Sequence, residues 1–137
     1  MNSTISHQTA LIYIMVIMSA ADSNMTDQEL LTIGEVVRSL PVFRDYDKKM
    51  LTKAAEDCAH LLQQTDGLDV VLGLVREALP KKLRETAYAV ACDVAATDLH
   101  AGQEELRLLA LIRTKLDIER LAAAAIERGA RARFTVL

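Results

Sequence analysis

Residues 10–29 read ALIYIMVIMSAADSNMTDQE, and this stretch decides the fold. The chain contains no Asp, Glu, Lys or Arg through residue 21; Asp22, Asp27 and Glu29 then arrive within eight residues. A helix that is apolar on nearly every face belongs inside a bundle rather than on its surface. The dense apolar run, Ala10 to Ala21, is shorter than the roughly 20 residues a membrane-spanning helix needs. No Lys or Arg precedes it, so it lacks the basic start of a signal peptide. The stretch predicts a buried core helix ending in an oxygen-rich loop at the edge of the core.

That loop has two surviving readings. In the first, Thr26-x-x-Glu29 is a capping box that starts the next helix, and Asp22 ends the previous one. In the second, Asp22, Asn24, Thr26 and Glu29 offer hard oxygens at short spacing, which suits calcium or magnesium. An EF-hand is excluded. Counted from Asp22, loop position six is Asp27 where a glycine is needed, and position twelve is Ile33 where a bidentate carboxylate is needed.

Composition points the same way. The 137 residues fit one domain, residues 1–137, with a core over about 6–128 and a basic tail over 129–137. Hydrophobic residues make up 51% and aromatics 4%, so Ala, Leu, Val and Ile must fill the interior. Two prolines and five glycines are too few turn residues for a multi-stranded sheet. The expectation is an all-α bundle of about seven helices. A formal net charge of −3 argues against a broad nucleic-acid surface. Cys58 and Cys92 are isolated and read as buried free thiols of a reducing, cytoplasmic compartment.

In chain order, helices are expected over about Ser6–Ala21, from the Thr26 cap to Leu40 before Pro41, and over Asp45–Gln64 with Asp45 or Asp47 as its cap. In the third helix, Tyr46, Met50, Leu51, Ala54, Cys58, Leu61 and Leu62 form one stripe, with His60 beside it. Thr65-Asp66-Gly67 reads as a turn, followed by Leu68–Leu79. A fifth helix follows Pro80 and runs to about Thr97, with Leu83, Ala87, Val90, Ala91 and Val94 inward. A sixth spans Gly102 to about Thr114, and Asp117 is expected to cap a seventh over Ile118–Arg128. Arg128, Arg131 and Arg133 make the tail basic. It reads as a frayed terminus with arginines near a helix end, or as an anion or partner contact.

The strongest internal signal is a repeat. Residues 20–30 align with residues 96–106 at an offset of 76, without a gap, and match at 4 of 11 positions. Asp22 pairs with Asp98 and Glu29 with Glu105, inside two helix–loop–helix hairpins. Thr26 and Gly102 hold the same cap position, so capping accounts for both glutamates. It does not account for Asp22 and Asp98, which face the negative end of a helix dipole and call for a positive partner. If the hairpins pack about a pseudo-twofold axis, four carboxylates share one face and a cation relieves their repulsion. The candidate ligands are Asp22, Glu29, Asp98 and Glu105, with Asn24 and His100 as additional donors; His100 would favour zinc or manganese over calcium or magnesium.

Two helices that each end in such an acidic loop, in one helical domain of this length, resemble the tellurite-resistance TerB-like family, which is related to the N-terminal domain of the DjlA membrane co-chaperones. The motif residues are Ala20-Ala21-Asp22 through Glu29 and Ala96 through Glu105. Ser23 and Leu99 stand where the family carries a glycine after the Asp, and Gly102 stands where it carries a hydroxyl cap. The resemblance implies a seven-helix bundle with an acidic, metal-binding face, no enzymatic activity, and a link to stress response. It leaves room for a peripheral membrane-associated complex. The leading expectation is a non-enzymatic binding or scaffold module whose acidic face takes a divalent cation, a partner protein, or both. The alternative is a purely structural interaction domain. A metal-dependent hydrolase using Asp22, Asp98 and Glu29 ranks third, because the chain has no HExxH, GxSxG or P-loop.

Overall fold

A computed structural model of the chain describes residues 5–19, 26–97 and 102–137. Seven α-helices run in order, and the described residues include no strand: α1 His7–Ser19, α2 Asp27–Ser39, α3 Leu51–Leu62, α4 Gly67–Ala78, α5 Arg84–Thr97, α6 Gln103–Lys115 and α7 Arg120–Arg133. The chain is therefore an all-α bundle, as the apolar patterning and scarcity of turn residues require.

The α1 helix is the axis of the bundle. All ten residues from Ala10 to Ser19 are buried, on every face of the helix. This is possible because α2, α3, α4, α5 and α6 all pack against it. Helix α5 is the second interior element, packed against α1, α6 and α7. Its expected stripe is therefore widened: Tyr88, Cys92 and Ala95 are buried along with Ala87, Val90, Ala91 and Val94. The buried apolar side chains of all seven helices join one core cluster.

The outer helices are amphipathic. In α2 only Ile33 and Val37 are fully buried, and the helix stops at Leu40 because Pro41 opens a 3₁₀ turn, Pro41–Phe43. Helix α3 starts later than the patterning predicts. Asp47 accepts a hydrogen bond from the Lys49 amide and caps a 3₁₀ turn, Lys48–Met50, ahead of Leu51. Met50, expected on the inner stripe, is 48% exposed on that turn. Asp45 caps nothing; its carboxylate instead accepts from the Gln8 amide at 2.8 Å and ties the connector to α1.

Two turns depend on unusual backbone. Asp66 is left-handed (φ 56°) and leads into Gly67, where a Cβ would strike the Leu61 carbonyl and lie 2.7 Å from the Leu62 carbonyl oxygen. Only glycine lets α4 start so close to the end of α3. Asp117 is also left-handed (φ 55°), which breaks the chain between α6 and α7 without Gly or Pro. It does not cap α7 as expected. Glu119 precedes that helix, and Asp117 pairs with Arg76 of α4 at 2.9 Å. Helix α7 also runs on to Arg133, so half of the expected tail is ordered helix.

The bounds of α2 and α6 repeat the sequence offset: Asp27 and Gln103 are 76 apart, as are Ser39 and Lys115. Their buried faces do not. Ile33 and Val37 correspond to Leu108 and Ile112, 75 apart, so the two helices turn faces one residue out of step toward the core.

Candidate functional site

Asp22, Asn24, Asp98 and His100 lie outside the described residues. Glu29 and Glu105 are described, and both are engaged locally. The Glu29 Oε1 accepts from the Thr26 amide at 2.8 Å, while Thr26 Oγ1 accepts from the Glu29 amide at 3.1 Å, closing a complete capping box. The Glu105 Oε1 accepts from the Gly102 amide at 2.7 Å; with no side chain on Gly102, only this half of the box forms. Each glutamate therefore commits one oxygen to its own helix start. Among the described residues, no group of three or more His, Cys, Asp or Glu is gathered as a metal site. His60 is exposed on α3, and its ring lies 3.3 Å from the Gln64 side-chain amide.

A different site is assembled along α5. An open groove of about 560 Å³ runs between α5, α6 and α7. Each helix gives one face at the three- and four-residue steps of helical neighbours. Helix α5 gives Tyr88, Cys92, Ala95 and Ala96; α6 gives Leu106, Leu109, Ala110 and Arg113; α7 and its end give Glu127, Ala130, Arg131 and Phe134. Alanines on α5 and α7 let the two backbones approach closely, and two polar links fix their register. The Tyr88 hydroxyl donates to Glu127 Oε2 at 2.5 Å, and Arg133 pairs with Asp93 at 2.5 Å.

Two ionisable groups of the groove, Tyr88 and Cys92, are held neutral. Burial, helped by the Glu127 hydrogen bond, pushes the Tyr88 hydroxyl well above the ordinary tyrosine range. Burial pushes the Cys92 thiol up to about 11. Cys58, fully buried against α1 with its thiol donating to the Tyr13 carbonyl at 3.8 Å, is pushed up to about 12 by burial. Both cysteines are free thiols, as expected from their isolation. The rim is charged: Arg113 and Arg131 line the groove, and neither guanidinium is ion-paired or hydrogen-bonded to another described residue.

This groove was missed by reading the sequence. Its parts come from three helices, with Tyr88 and Glu127 separated by 39 residues. The available signal was Arg113, placed one residue after the core position Ile112, and a basic turn at the end of α7. No described helix is long and apolar enough to cross a membrane. Comparisons with protein-family models, with curated proteins and with solved structures found no match.

Proposed function

We propose that the chain is a non-enzymatic binding module and that the α5–α6–α7 groove is its ligand site. The groove itself carries this reading: an open cavity of about 560 Å³ falls within the roughly 300–1,000 Å³ usual for small-molecule sites. Its chemistry favours holding over reacting. The Cys92 thiol keeps its proton at neutral pH, and a nucleophilic cysteine needs the thiolate. Two free thiols support a reducing, cytoplasmic setting. The test is amide NMR of the full chain against a library of small apolar fragments, neutral and charged. Shifts should cluster on residues 88–96, 106–113 and 127–135. Shifts scattered over the surface, or clustered elsewhere, overturn the groove reading.

A second reading keeps the acidic loops. Two helices that start 76 residues apart, each with a glutamate closed on its cap amide, favour a duplicated hairpin design. On this reading Asp22 and Asp98, freed from capping, hold a divalent cation (calcium, magnesium, manganese or zinc) or a basic partner protein. Glu29 and Glu105 each contribute at most their second oxygen, with Asn24 and His100 as further donors. This is the reading to which the TerB-like resemblance and a role in stress response belong.

A further inference from the structure

We propose that the groove's occupant is a single-chain fatty acid, its carboxylate taken by Arg113 and Arg131 and its alkyl chain laid along the apolar wall. The inference rests on the groove reading above and adds the class of ligand. Its starting point is charge. Arg76, Arg84, Arg107 and Arg133 each have an acidic partner within 4.0 Å. Arg113 and Arg131 have none among the described residues, as is also true of Arg38, Arg44, Arg120 and Arg128, but of these six only Arg113 and Arg131 line the apolar groove. An arginine fork beside an apolar surface matches a carboxylate bidentately, and such charge-assisted pairs are the stronger class of hydrogen bond.

The remaining groups fit the same ligand. Glu127 is the one carboxylate in the described lining, and it already accepts a hydrogen bond from the Tyr88 hydroxyl. Cys92 stays a neutral thiol. The same lining includes Leu106, 62% exposed, and Phe134, 36% exposed, two large apolar groups left facing water. A flexible alkyl chain covers such a strip without needing polar partners that the wall does not offer.

The test is an amide NMR titration of the full chain with three probes below their micellar concentrations: decanoate, decanol and decyltrimethylammonium. Decanoate should saturate at one per chain, with shifts centred on Leu106, Leu109 and Phe134, and should bind more tightly than the other two. The double variant Arg113→Gln/Arg131→Gln should weaken decanoate by about tenfold or more and leave decanol unchanged. Both arginines are at least partly exposed, so the variant should fold, and its amide spectrum reports whether it does. Equal binding of decanoate and decanol, unmoved by the double variant, overturns the carboxylate assignment and leaves the groove reading standing. Groove shifts from no probe, and none from the fragment library, overturn both. Broadening of groove amides that grows with protein concentration alone assigns the groove to a second copy of the chain and overturns the fatty acid.

Discussion

Cys58 and Cys92 keep their protons for the same reason: burial disfavours the charged thiolate. Their native values, about 12 and about 11, lie above the roughly 8.5 of an unfolded cysteine. The native state therefore holds protons that the unfolded chain has released. The stabilisation is fully present below about pH 8.5 and is lost as pH rises toward 11–12. Each thiol contributes a slope of at most about 1.4 kcal/mol per pH unit. We expect the urea midpoint to fall steadily between pH 9 and 10, before tyrosine ionisation adds to the trend, and to fall less steeply in Cys58→Ala. A flat midpoint across that interval would show that the thiols titrate freely in the fold. The inward stripe of α3 already placed Cys58 in the core. The Tyr88–Glu127 bond was not legible, because hydrogen bonds between distant helices depend on packing that no local pattern encodes.

Among the elements, helix starts were more legible than helix-to-helix connections. Thr26 and Glu29 form the box their spacing requires, and Pro41 stops α2 as its missing N–H demands. The α6–α7 break falls where it was expected, and Asp47 is one of the two caps the spacing offered; what local pattern did not show is that Asp47 caps a 3₁₀ turn, which delays α3 to Leu51, and that Asp117 takes a left-handed backbone instead of capping α7. Gly67 is the opposite case, a turn glycine whose need is steric. Gly67→Ala should destabilise the protein by about 1–3 kcal/mol, because the new methyl meets backbone carbonyls of α3 that cannot rotate away. Chemical denaturation with an unchanged m-value checks it; a loss under about 0.5 kcal/mol would mean that α3 and α4 separate easily at this turn.

At the scale of the molecule, the bundle was written in the uncharged run and the shortage of turn residues, whereas the groove emerges only when α5, α6 and α7 meet. The acidic loops give a molecule-wide prediction. If Asp22 and Asp98 hold a cation, thermal melting of chelator-stripped protein should respond to calcium, magnesium, manganese or zinc. Saturation at about 100 times the dissociation constant adds about 2.7 kcal/mol, a rise of several degrees at this size. The rise should vanish in Asp22→Asn and in Asp98→Asn. Indifference to all four ions leaves the glutamates as helix caps and ends the cation reading. The burial of α1 also has a consequence for biosynthesis. Its walls are α2 through α6, all made after it and complete only at Lys115. At about 5–20 residues/s, a nascent chain carries this greasy decapeptide for roughly 5–20 s before its shelter is finished. Among the seven described helices, the most apolar is thus the one that waits longest for its packing partners.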